Sequence, residues 1–78
     1  MNTMKRIALI PAYKPDERMI VSAMDLSDEG FEVIIVNDGS PEEFDLEFYA
    51  AAEYAEVLRH EENRGKGEAL KTGLKYIR

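Results

Sequence analysis

The chain has no cysteine and a single histidine, His60, among its 78 residues. Without cysteine there is no disulfide framework and no thiolate metal site, and one histidine excludes a multi-histidine site. Only a hard cation held by carboxylates stays compatible with this composition. Long apolar runs are also missing. The longest are four or five residues, against the roughly 20 needed to span a bilayer, and the first six residues are too few for a secretory leader. The expected location is therefore cytoplasmic. Basic residues are outnumbered, ten Lys and Arg against sixteen Asp and Glu, for a net charge of −6. Nucleic acid is not an expected partner of so acidic a chain. The charge is uneven: eight acids fall within residues 42–62, whereas residues 64–78 hold five basic residues and one acid, making the carboxy-terminal stretch the anion-attracting end. At about half the roughly 150 residues of a typical domain, the chain holds one domain or a piece of one.

What is present reads as alternating strands and helices. Ile-Ala-Leu-Ile at 7–10 and Val-Ile-Ile-Val at 33–36 are uninterrupted apolar runs, the pattern of parallel strands buried on both faces. Between them Pro15, Asp16 and Glu17 suit the start of a helix whose apolar positions are Met19, Ile20, Ala23, Met24 and Leu26, and Gly30 supplies its stop. Ser40, Pro41 and Glu43 predict a capping box opening a second helix with Phe44, Phe48, Ala51 and Ala52 inward. A short strand over residues 56–59 follows, then a third helix with the stripe Leu70, Gly73, Leu74 and Ile77, and Lys71, Lys75 and Arg78 on a solvated face. Strand-helix order repeated three times predicts a parallel three-stranded α/β unit. The apolar period is still running at Ile77, so the expected natural polypeptide continues.

In an open parallel sheet the ligand lies beyond the carboxyl ends of the strands. Asp38, in the loop directly after the second strand, precedes Gly39, which lets a ligand approach the backbone. Its carboxylate either accepts from a base or ribose or orders an Asx turn. Tyr13 either stacks on a base or covers the sheet end. Arg64 and Lys66, in a glycine-flanked turn opening a helix, either meet phosphate or base oxygens or form a soluble turn. Ser40 is explained by capping alone, and His60 reads as a partly exposed strand-end residue with no catalytic role. Gly65-Lys66-Gly67-Glu68 is not a P-loop, and no Gly-x-Gly-x-x-Gly follows the first strand.

Ile-Pro-Ala-Tyr-Lys-Pro at 10–15, Val-Asn-Asp-Gly-Ser at 36–40 and Asn-Arg-Gly-Lys-Gly-Glu-Ala-Leu at 63–70, taken in series, resemble the amino-terminal signatures of family 2 glycosyltransferases. Two positions depart from that pattern: Lys14 stands where many members have Asn, and Asn37 replaces the first acid of Asp-Asp-Gly-Ser. The resemblance implies the nucleotide-binding half of a GT-A fold, a three-layer α/β/α Rossmann-like unit with strand order 3-2-1 and three helices. It implies that Pro11, Ala12 and Tyr13 line the base pocket, that Asp38 with Gly39 meets the base or ribose, and that Arg64 and Lys66 lie near the base or phosphates. It further implies an inverting transferase using a UDP- or GDP-sugar, with a divalent metal, Mg²⁺ or Mn²⁺, on an Asp-x-Asp motif beyond residue 78. No catalytic residue and no metal ligand is expected in this chain, and some relatives carry membrane helices. The first strand would present an open apolar edge, so self-association through that edge or the sheet face is expected.

Two other readings differ in class. One is a noncatalytic α/β nucleotide-binding or assembly module whose loops only close the sheet. The other is a receiver-like regulatory domain, which would need an acidic pair where Pro11 and Ala12 stand.

Overall fold

The computed structural model describes residues 6–77. The leader question at the first residues and the basic face at Arg78 lie outside them. The elements run β1 (Arg6–Ala12), α1 (Glu17–Asp28), β2 (Phe31–Asp38), a 3₁₀ turn (Glu42–Phe44), α2 (Asp45–Ala51), β3 (Ala55–His60) and α3 (Lys66–Ile77). The three strands form a parallel sheet in the order β1-β2-β3, which is the expected 3-2-1 order read from the other edge.

Side chains alternate across a strand, and β2 divides its residues between two helical layers. Val33 and Ile35 join Met19 and Ala23 of α1 and Phe48 and Ala51 of α2 in the core. Ile34 pairs in register with Leu9 of β1, and Leu9 packs under Gly73 of α3 on the opposite face. The central strand is therefore buried on both faces, from Val33 to Asp38. β1 is only half-buried, contrary to its apolar run, because among the described residues it pairs with β2 alone and lies at the edge.

Local signals explain α1. Asp16 is its N-cap, accepting from the Arg18 N–H at 2.9 Å, and Gly30, at φ +93°, ends it with its N–H on Ser27. The capping box does not form. Pro41 precedes the 3₁₀ turn and α2 starts later, at Asp45. The Ser40 hydroxyl instead accepts the Lys14 N–H at 2.9 Å, from the loop after β1, while the Ser40 N–H donates to Asn37 Oδ1 at 2.9 Å. The inward face of α3 keeps Gly73 and the half-buried Leu70 of the expected stripe but takes Ala69 in place of Leu74 and Ile77. Ala69 and Gly73 are buried, whereas Leu74 is 56% exposed and Ile77 37%. Small residues win the inward positions because a Cβ at Gly73 would overlap the Leu9 side chain, so the helix sits close on β1.

Lys14 is the one non-glycine residue with positive φ among those described, at 51°. That conformation costs an ordinary residue on the order of 1–2 kcal/mol, and Asn tolerates it better. The Lys14 ammonium lies 5.4 Å from the Tyr13 ring centroid, a contact contributing roughly 0.5 kcal/mol when exposed. Lys14→Asn is therefore expected to stabilise the chain by about 0.5 kcal/mol net. A thermal melt checks this, and a lowered midpoint would count against the strain.

Candidate functional site

Two loops leave the carboxyl end of the sheet toward opposite layers. The loop after β1 leads to α1 on one face, and the loop after β3 leads to α3 on the other. Such a divergence opens a crevice at the strand ends. A cavity of about 390 Å³ occupies it, lined by Pro11, Ala12 and Tyr13 on one side, Asn63, Gly65 and Lys66 on the other, and Asp38 between them. This volume is in the range of small-molecule sites.

Asp38 organises the crevice. It is 3% exposed, and its two oxygens meet four donors. Oδ1 accepts from His60 Nδ1 at 2.8 Å and the Arg64 N–H at 2.9 Å; Oδ2 accepts from the Gly65 N–H at 2.9 Å and Asn63 Nδ2 at 3.1 Å. Asn63 Nδ2 also reaches the Asp38 carbonyl at 3.2 Å. A carboxylate has about four lone-pair positions, so this one is fully engaged within the protein. Gly39, at φ +76°, lets the backbones of Glu62 and Asn63 come against it.

Burial pushes the Asp38 carboxyl up, but the hydrogen bonds from His60, Arg64 and Gly65 and the attraction of the imidazole outweigh it and hold it below the usual carboxylate range. The ionised form therefore stabilises the fold in full above the unfolded-chain value of about 3.9, and this contribution is lost as pH falls through the lower folded value. The Asp38 carboxyl carbon is expected to titrate at lower pH than exposed carboxylates, with the urea midpoint dropping below about pH 4. Carbon-13 NMR across pH 2–6 checks it, and a midpoint at or above the ordinary carboxylate range would contradict the assignment.

Of the residues singled out in the sequence, Pro11, Ala12, Tyr13, Asp38 and Lys66 share the cavity. Gly39 lies behind it against residues 62 and 63. The Arg64 side chain is exposed and does not line the cavity; its backbone N–H holds Asp38. Tyr13 is 47% exposed and carries the Lys14 ammonium over its ring. The sequence reading missed Asn63 and Gly65 as lining residues and misjudged His60, which is 7% exposed rather than partly exposed. His60 Nε2 lies 2.6 Å from the Thr72 hydroxyl of α3. The parallel register pairs Asp38 with His60 across β2 and β3, and that register, not either residue's neighbours, is the signal that finds the pair. Among the described residues no group of three His, Cys, Asp or Glu is placed to hold a metal, and no helix is long and apolar enough to cross a membrane.

A parallel three-stranded sheet between helical layers, with a crevice at its strand ends, defines the class as a parallel α/β unit. The chain belongs to glycosyl transferase family 2, whose sequence profile matches residues 9–78. An uncharacterized glycosyltransferase of Rickettsia felis (strain ATCC VR-1525 / URRWXCal2) is 36% identical over 75 residues, covering 90% of this chain and 12% of that protein. The fold resembles that of the mannosyltransferase PcManGT from Pyrobaculum calidifontis, solved in complex with GDP-Man and Mn²⁺, at a TM-score of 0.70 and 22% identity. That likeness covers 92% of this chain and 24% of the other. The chain thus spans about an eighth of the one relative and a quarter of the other.

Proposed function

We propose that these residues form the amino-terminal, nucleotide-binding portion of a glycosyltransferase catalytic domain that moves a sugar from a UDP- or GDP-sugar to an acceptor hydroxyl with inversion. The observation that carries the reading is the crevice between Pro11–Ala12–Tyr13 and Asn63–Gly65–Lys66 at the strand ends. A base would lie against Tyr13 and the adjoining apolar wall, and the Lys66 ammonium, with Arg64 outside the rim, would face the diphosphate. Gly39 and Asp38 shape the floor. The solved mannosyltransferase holds GDP-Man and Mn²⁺, which supports a nucleotide sugar and a divalent metal, Mg²⁺ or Mn²⁺, for the whole enzyme. The described residues do not themselves fit that metal, since no ligand cluster exists among them and the Asp38 oxygens are engaged. No metal-dependent step is assigned to them, and the chain with nucleotide sugar and Mn²⁺ is expected to show no turnover. A cytoplasmic location belongs to the same proposal, as does self-association through the β1 edge or the sheet face, supported by the edge position of β1 and by exposed Leu74 and Ile77 on α3. Sedimentation over a concentration series tests the last point.

Titration with GDP and UDP by calorimetry tests the binding. Either nucleotide is expected to bind, and Lys66→Ala to weaken it about tenfold through loss of a charge-assisted contact. The saturation of Asp38 favours one rival, a noncatalytic module whose loops merely close the sheet. Absence of heat with both nucleotides would favour that module.

A further inference from the structure

Three of the four donors on Asp38 come from one turn: the Asn63 amide and the N–H groups of Arg64 and Gly65. They bind the carboxylate to the turn, whose last residue, Gly65, meets α3 through its carbonyl on the Ala69 N–H. The fourth donor, His60, differs. It ends β3, is buried, and is gripped from its other ring nitrogen by Thr72 on α3. A carboxylate only accepts, so Nδ1 carries a proton toward Asp38, and Nε2 and the Thr72 hydroxyl share the second hydrogen bond. Asp38 has no acceptor position left for a base or ribose while this network stands. Its connection to a ligand runs through the turn it holds, which supplies Asn63, Gly65 and Lys66 to the cavity wall.

We propose that His60 is the positioning residue of the nucleoside-diphosphate site: braced between Thr72 and Asp38, it locks the carboxylate and the 63–65 turn to β3 and α3. The proposal rests on the nucleotide-binding reading for its affinity readout and stands apart from it for its structural one. Losing either end of the brace frees the turn to move relative to the loop after β1, and a wall displaced by about 1 Å no longer meets its ligand.

The test uses the 78-residue chain and three variants, with GDP and UDP affinity and the amide proton shifts of Arg64 and Gly65 as readouts. Hydrogen bonding to a carboxylate places those two resonances downfield in the native chain. His60→Phe removes both hydrogen bonds and is expected to weaken nucleotide binding about tenfold, the scale of one lost buried hydrogen bond, and to move both resonances upfield. His60→Asn keeps a donor in reach of Asp38 and is expected to restore most of both. Thr72→Val, nearly isosteric, is expected to lower affinity a few-fold and broaden the two resonances. Unmoved resonances in a folded His60→Phe chain would overturn the proposal. If that variant does not fold, Thr72→Val decides, and native shifts and affinity there would overturn it equally. If neither nucleotide binds the native chain, the donor-site reading fails, and the amide shifts alone decide the role of His60.

Discussion

Asp38→Ala is expected to cost about 3–5 kcal/mol, the scale for removing one partner of a buried charged network. The substitution strands four donors at once: the His60 ring, the Asn63 amide and two backbone N–H groups. Water reaches only the outer ones, because His60 is 7% exposed. A 78-residue chain has a total stability of roughly 4–12 kcal/mol, so the loss is a large share of it. Asp38→Asn keeps the shape but turns an NH₂ toward N–H donors, and a cost of about 2–3 kcal/mol is expected. Urea denaturation followed by circular dichroism measures both, and a loss under about 1 kcal/mol for the alanine variant would show the network to be slack.

Gly39→Ala is expected to cost about 3 kcal/mol, from the sum of left-handed strain and overpacking. Gly39 stands at φ +76°, and a Cβ there would overlap the backbones of Glu62 and Asn63. Backbone cannot rotate away as a side chain end can, and this stretch leads directly into the turn held by Asp38. The same substitution therefore pushes the cavity wall outward and is expected to weaken nucleotide binding together with stability. Gly65→Ala is the comparison: its φ of +99° carries the strain, but a Cβ there meets only open space. Its cost is expected to be about 1–2 kcal/mol. Equal losses for the two variants would mean that the contact with residues 62 and 63 is unimportant.

The elements themselves were legible in the sequence. The apolar runs at β1 and β2, the spacing of Met19, Ala23, Phe48 and Ala51, and the stop at Gly30 all follow from neighbours within a turn or a strand, where local rules operate. Pro11, Ala12, Tyr13, Asp38 and Lys66 were legible as residues gathered at the carboxyl ends of the strands, because topology brings those ends together, although the strands run on through Ala12 and Asp38 and Lys66 opens α3. The fate of individual polar groups was not. Ser40 had a good local partner set for capping, yet a donor 26 residues away, the Lys14 N–H, takes its hydroxyl. The α3 stripe was misjudged because close approach to Leu9 rewards Ala69 and Gly73 over larger residues.

By its own patterning the chain determined its strands, its helices, their parallel order and the end of the sheet at which the crevice opens, since periodicity and chain connectivity leave few alternatives. Tertiary structure alone decided that Asp38 faces inward to four donors, that His60 is buried against Thr72, and that Arg64 contributes its backbone rather than its guanidinium. The reason is physical: a hydrogen bond depends on register and distance between segments more than 20 residues apart, and no local preference encodes which donor arrives first.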